Sequence, residues 1–284
     1  INPEDIESIN MLTGPAAAAL YGNAAASGVV LINTKKGTKD KTNISVSSST
    51  TFSTPTMLPK MQSKYGNKDG VFASWGDLVN SNYDPEKFFR TGVNTINSVS
   101  LSTGTSKNQT YVSVSATNSN GILPNNKYER YNVSGRNTAS SLNDKLVLDF
   151  GANLIFQNDR NMTAQGRYFN PLTALYLFPR GENFDAIRMY ERYNEGLGIY
   201  EQYWPYETQS MELQNPYWTM NRIVRENKKK RFMTNASLKW NIIDGIDITG
   251  RLKYDKTDMR STDKRYASTI EQFASDFGGD SYNR

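Results

Sequence analysis

Residues 231–255 read RFMTNASLKWNIIDGIDITGRLKYD, and the parity of that stretch decides the fold. Phe232, Ala236, Leu238, Trp240 and Ile242 fall on one side of an extended chain, with Arg231, Asn235, Ser237, Lys239 and Asn241 on the other. Asp244-Gly245 follows, a dipeptide suited to a two-residue hairpin loop. The alternation then resumes, with Ile246, Ile248, Leu252 and Tyr254 against Asp247, Thr249, Arg251, Lys253 and Asp255. Side chains alternate across a strand with period two. A pattern this regular therefore predicts two strands with one face in an apolar medium and the other in a polar one.

The same parity recurs upstream. Leu146, Leu148, Phe150, Ala152, Leu154 and Phe156 oppose Asp149, Gly151, Asn153 and Gln157. Shorter runs lie at 42–53 (Ile44, Val46, Phe52), 98–102 (Val99, Leu101), 111–116 (Val112, Val114, Ala116) and 130–136 (Tyr131, Val133). Seven antiparallel strands are expected. Their connections are lopsided. Thr103 to Gln109, Ser141 to Lys145 and Asp244-Gly245 are tight turns at one end of the sheet; segments 55–94, 118–126 and 161–230 lie at the other. Long connections without structure are uncommon in compact soluble domains, whereas short turns on one side and long loops on the other typify outer-membrane barrels. A soluble sheet with one wet face is the plainer alternative. Against it stand mid-strand charges (Asp149, Lys239, Arg251), an apolar face sustained for about ten residues, and Trp240 and Tyr254 near strand ends, where interfacial aromatics sit.

Composition removes several function classes. The 284 residues include no cysteine and no histidine, which excludes disulfides, thiol chemistry, Ser-His-Asp hydrolysis and most transition-metal sites. No cofactor or metal ligand set is visible. The net charge of +5 is spread along the chain; it suits anionic lipid or lipopolysaccharide phosphate and gives no case for nucleic acid. No run approaches the ~18 apolar residues of a spanning helix. The mean hydropathy of -0.65 does not count against barrel strands, whose alternation lowers the average. The opening Ile1-Asn2-Pro3-Glu4-Asp5 shows no targeting signal and reads as the middle of something longer.

Residues 1–37 have another character. An apolar strand around Ile9 to Leu12 precedes Gly14-Pro15 and a small-residue run, and Pro at a first helical position with Gly past the end predicts a short helix over 15–21. Gly28 to Thr34 is a continuous apolar strand ending at Lys35-Lys36-Gly37. Both strands need neighbours to bury them. The series Gly14-Pro15-Ala16, Leu20-Tyr21-Gly22 and Gly28-Val29-Val30-Leu31-Ile32-Asn33-Thr34-Lys35-Lys36-Gly37 resembles the closing segment of the plug of TonB-dependent receptors of the SusC/RagA type. Met11-Leu12-Thr13 stands where that family usually has Val-Leu-Lys. Asn215-Pro216-Tyr217-Trp218 with Asn221-Arg222 is similar to a loop-to-strand passage early in such barrels.

The resemblance implies a mainly β fold: the C-terminal part of an α+β plug domain over 1–37, then over 38–284 the first part of a plugged transmembrane barrel of about 22 strands. It implies an outer-membrane location, uptake of oligosaccharides or peptides without covalent chemistry, gating by the TonB energy complex, and a SusD-like surface lipoprotein as partner. It places the motif residues Gly14, Pro15, Ala16, Leu20, Tyr21, Gly22 and Gly28 in the plug. In the long loop over 161–230, Tyr200, Tyr203, Trp204, Tyr206, Tyr217 and Trp218 are candidates for substrate contact, since aromatic faces stack on sugars and peptide side chains. The same rings suit the loop's own core or the docking of the lipoprotein better, since such a loop must bury something to be ordered. Two other classes stay open. A surface adhesive β protein would explain the alternation but not the plug-like motif. A carbohydrate-active enzyme needs two carboxylates at one cleft, and Asp149 and Asp247 have no evident partners. Lys228-Lys229-Lys230-Arg231 suits lipopolysaccharide phosphates or plain solvation. Asp276 and Asp280 are too few for a calcium cage, and Asp276-Phe277-Gly278 lacks the surroundings of a kinase motif.

Overall fold

The computed structural model describes residues 2–68, 71–206, 212–270 and 282–283. Strand β1 (Ile6–Leu12), helix α1 (Pro15–Tyr21) and strand β2 (Val29–Thr34) open the chain, with β1 and β2 paired antiparallel. The helix falls where its punctuation places it, with Pro15 first and Gly14 and Gly22 flanking it at positive φ. The main sheet follows: β3 (Asn43–Ser53), β4 (Gly92–Gly104), β5 (Asn108–Asn120), β6 (Lys127–Ser141) and β7 (Leu146–Arg160). A loop insertion carries α2 (Pro171–Leu177), the hairpin β8 (Glu191–Asn194) and β9 (Ile199–Gln202), and α3 (Pro216–Arg222). Then β10 (Ile223–Ile243), β11 (Ile246–Arg265) and the two-residue β12 (Tyr282–Asn283) complete the sheet. Its order, β12-β11-β10-β7-β6-β5-β4-β3, is an antiparallel meander.

All seven expected strands are present, and several run further than their alternation. β10 begins at Ile223 rather than 231, so the loop expected over 161–230 closes at Arg222. That loop is not structureless either, since it holds two helices and a hairpin. Tyr254, expected near a strand end, lies mid-strand because β11 continues to Arg265. The turn at Asp244-Gly245 forms as expected, with Gly245 at φ +84. Between β6 and β7, Leu142, Asn143 and Asp144 are all left-handed, and Ser140 Oγ donates to Asp144 Oδ1 at 2.6 Å.

The faces of the sheet are reversed relative to a soluble protein. Hydrogen-bond register aligns Val46, Val99, Val114, Val133, Leu154 and Phe232 in one row across six strands. Every member of that row is exposed. Of the opposite face, Ser98, Ser113, Ser115, Asn132 and Tyr111 are buried. In water, each bulky apolar side chain of the row would forgo roughly 1.5–3 kcal/mol of burial. A face like this needs an apolar medium outside it, and lipid is that medium for a membrane barrel. The strands are those of a partial outer-membrane β-barrel, mainly β, with its polar side inward.

Candidate functional site

Two places bring chemistry together. The first is the seam where β1 and β2 lie on the polar face. Asp5, 2% exposed, receives hydrogen bonds from Tyr111 Oη (2.9 Å) and Ser134 Oγ (2.6 Å), so a carboxylate of the opening segment is held by two strands of the sheet. Arg136 on β6 clamps Asp149 on β7 with two parallel bonds, Nε to Oδ1 at 2.9 Å and Nη2 to Oδ2 at 2.7 Å. Its Nη1 reaches back to the carbonyl of Thr34 at 2.6 Å. Bidentate guanidinium–carboxylate pairs combine strength with fixed geometry, and this one ties β2 to the wall. The mid-strand charge Asp149 therefore has its partner across the strand pair, and Asp247 has Lys239 at 3.6 Å. Neither serves a second carboxylate. A cavity of about 120 Å³ sits beside the clamp, lined by Asp5, Tyr111, Arg136, Asn153 and Asn235 among others. At Gly37 the chain passes over the β4–β5 turn so closely that a Cβ would collide with the backbone of Gln109 and Thr110.

The second place is the loop end. Residues of 71–91, 121–126, 161–206 and 212–222 converge on a core of Phe88, Leu123, Leu175, Phe178, Phe184, Ile187, Tyr206 and Met220. Asn215 organises it. Fully buried, it caps α3 by accepting from Tyr217 N and Trp218 N. Its Nδ2 donates to Ile187 O (2.8 Å) and Tyr203 O (2.9 Å), and its own N–H donates to Gln202 Oε1 (2.8 Å). A polar side chain at that depth must have every bond made. The Asn-Pro-Tyr-Trp stretch is thus a cap and a junction at once. Arg222 pairs bidentately with Glu191 at 2.6 and 2.8 Å. Arg180, 5% exposed, stacks 3.9 Å from the Tyr83 ring centroid. Burial pushes the Tyr83 phenol up to about 12 and the Arg180 guanidinium down from its ordinary value. Burial also raises Tyr206 and Tyr217.

The six candidate rings divide. Trp218 is fully buried against Phe169, Ile223 and Ile270, and its Nε1 donates to Thr269 Oγ1. Tyr206 belongs to the main core, with Trp204 and Tyr217 packed against it. Tyr203 lies under Arg192. Tyr200 is exposed and meets Tyr193 across the hairpin, with ring centroids 5.2 Å apart. Of the motif residues, Pro15, Ala16, Leu20 and Tyr21 lie in α1 with Gly14 and Gly22 at its ends, Gly28 packs against the carbonyl of Leu12 at the end of β1, and Leu20 and Tyr21 are exposed. In the basic run, Lys228 pairs with Glu226 and Arg231 with Asp255 on β10 and β11. Asp276, Phe277, Gly278 and Asp280 lie outside the described residues. Among the described residues, no three acidic, histidine or cysteine side chains gather as a metal site. Parity did not single out Asn215, Arg136 or Arg180 as organising residues, since their partners lie in other strands or loops.

No family model matches the sequence. The TonB-dependent receptor SusC of Bacteroides thetaiotaomicron is 34% identical over 178 residues, covering 58% of this chain and 17% of that protein. TonB-dependent receptor P3 of Formosa agariphila is 24% identical over 257 residues, covering 87% of this chain and 24% of its own length. The chain thus spans less than a quarter of each of these relatives. Among solved structures, the RagAB peptide importer in its 'closed-closed' state aligns over 93% of this chain and 33% of that chain, with a TM-score of 0.69 at 18% identity. That last likeness is one of fold.

Proposed function

We propose that this chain, similar in sequence and fold to receptors of the SusC/RagA type, works as part of a longer TonB-dependent transporter that imports oligosaccharides or peptides across the outer membrane. On this reading, residues 1–37 are the end of a plug and 38–284 begin the barrel around it. The observation that carries it is the inverted sheet: apolar rows face outward while a small α+β segment is bound to the polar interior by Asp5 and Arg136. Ile9, Met11, Val30 and Ile32 remain exposed on that segment, as strands awaiting the rest of a plug would be. The loop unit forms the outer mouth, where a SusD-like lipoprotein docks and substrate is captured. Energy from the TonB complex moves the plug, and no bond of the substrate is made or broken.

The test uses outer membranes of cells expressing the protein. The expected result is a heat-modifiable membrane protein, a lipoprotein that co-purifies with it, and substrate uptake that an uncoupler abolishes. A protein found in the soluble fraction, migrating alike with and without boiling, would sink this reading and favour the adhesive one.

A further inference from the structure

We infer that an open groove on the loop unit binds the carboxylate end of a peptide whose terminal side chain is apolar; the inference rests on the uptake reading and deepens it. The groove encloses about 440 Å³ and is walled by Met61, Phe72, Trp75, Tyr176, Leu177 and Arg180. That volume lies in the ordinary range of ligand sites. Trp75 is 78% exposed, and Leu177 and Met61 are about half exposed, so the apolar rim is open to a ligand.

Charge selects the ligand. Arg180 is buried, yet no carboxylate pairs with it among the described residues; its neighbours are the carbonyls of Gln62, Tyr176 and Phe178 and the Tyr83 ring. The three carbonyls take one N–H each from Nε, Nη1 and Nη2, and the Tyr83 side chain is a further hydrogen-bond partner. They supply dipoles but no negative charge. Buried charges in proteins are ordinarily paired, so a cation without an anion in the wall of an open groove favours an anionic guest. A guanidinium carries five N–H donors, so these partners leave it capacity for one charge-assisted bond to a carboxylate oxygen.

The rest of the lining selects against a sugar. A glycan needs partners for its hydroxyls. The lining's amide and hydroxymethyl side chains are already engaged within the protein: Gln62 Nε2 donates to Tyr65 O and Ser74 O, its Oε1 accepts from two backbone N–H groups, and Ser74 Oγ accepts from Arg180 N. What the groove offers beyond its cation is an indole, a phenol, a phenyl ring, a thioether and a Leu side chain. These match an apolar terminal residue.

The experiment uses the complete transporter, purified from outer membranes in detergent, with N-acetyl-Leu-Phe as probe, its C-terminal amide, and trigalacturonate as a carboxylate-bearing sugar. Trp75→Ala and Leu177→Glu are the variants, both at exposed positions; Arg180 stays in place because it also ties three carbonyls together. The free acid is expected to bind at least about tenfold more tightly than the amide, the loss of one charge-assisted contact. Each variant should weaken free-acid binding by about the same factor, Leu177→Glu by placing a carboxylate where the ligand's would sit. Equal binding of acid and amide, unchanged binding in both variants, no binding of the acid, or preference for trigalacturonate each overturns the proposal. Energy-dependent uptake is measured in parallel. Uptake unaffected by either variant would sink the groove and leave the transporter standing; acid-selective binding without energy-dependent uptake would do the reverse.

Discussion

The sheet and the loop unit obey opposite rules within one chain. In the sheet, Val114, Val133 and Leu154 are exposed while Ser113, Ser115 and Asn132 are buried. In the loop unit, Phe88, Leu175, Phe178 and Phe184 form a dry core, as in any water-soluble domain. The same hydrophobic effect acts in both, and what differs is the medium outside. Barrel strands place apolar groups toward lipid because lipid, not water, is their exterior. The loop unit buries its own rings, as a segment surrounded by water must. A contrast this sharp can be broken at defined positions.

The largest effect is expected at Asn215. Replacing it with Ala strands two carbonyls and two N–H groups in the interior, each costing about 1–3 kcal/mol, so the loop unit should lose on the order of 4 kcal/mol. Hydrogen exchange should rise across 161–222 while heat-modifiable migration of the barrel stays unchanged. If the barrel melts along with the loops, the two regions are one cooperative unit and the contrast is wrong.

Next comes an exchange of neighbours in β11. Arg251 lies on the polar face and Leu252, 77% exposed, on the apolar one. Leu252→Arg combined with Arg251→Leu keeps composition and mean hydropathy constant but turns the charge toward lipid. A penalty of about 2–4 kcal/mol is expected near the bilayer centre, read as reduced folding into lipid vesicles. Equal folding of the two orders would make the apolar face an ordinary wet surface.

These two sites also show what the sequence could carry. Parity reveals a strand only where its two faces meet different media. Leu252 and Arg251 do, so β11 was legible there. Residues 223–230 do not: the run Arg225 to Lys230 is polar at both parities, as expected of a strand rising above the membrane into water on both sides, and its strand character was invisible. Helix α1 was legible because Pro15 and Gly22 mark its ends locally. Asn215 stood out in a motif, but its junction role depends on Ile187 and Tyr203, brought to it only by folding. The Arg136–Asp149 clamp depends likewise on the register of β6 and β7.

A smaller effect separates the regions by pH. Tyr83 is half-buried in the loop unit, donates to Leu175 O at 2.6 Å, and has its phenol pushed from 10.0 to about 12. The folded state holds this proton more tightly than the unfolded state. Stability from Tyr83 is therefore complete below pH 10.0 and lost as pH rises through about 12, on the order of 2 kcal/mol after allowance for partial exposure. Tyrosinate absorbance should appear together with loosening of loop residues. Tyr83→Phe should move that transition toward higher pH; a transition identical in the variant would assign it to another group.

The smallest predicted effects concern two ion pairs in the loop unit. Glu191 meets Arg222 at 2.6 Å with both side chains largely buried, and Arg222 also lies over the Tyr266 ring. Lys87 meets Asp185 at 3.4 Å with both side chains about half exposed. Water solvates the second pair and salt screens it, so Lys87→Ala should change loop stability by less than about 0.5 kcal/mol. Glu191→Gln leaves a guanidinium short of its counter-charge in a partly buried setting and should cost about 1.5 kcal/mol. Raising the salt concentration should shrink the Lys87 effect to nothing and barely move that of Glu191. Both follow if the loop unit is a small soluble globule with its own interior. Equal effects would mean that lipid or the barrel wall, rather than depth within the unit, sets the local dielectric, and the line between the regions would then have to be drawn further from the membrane.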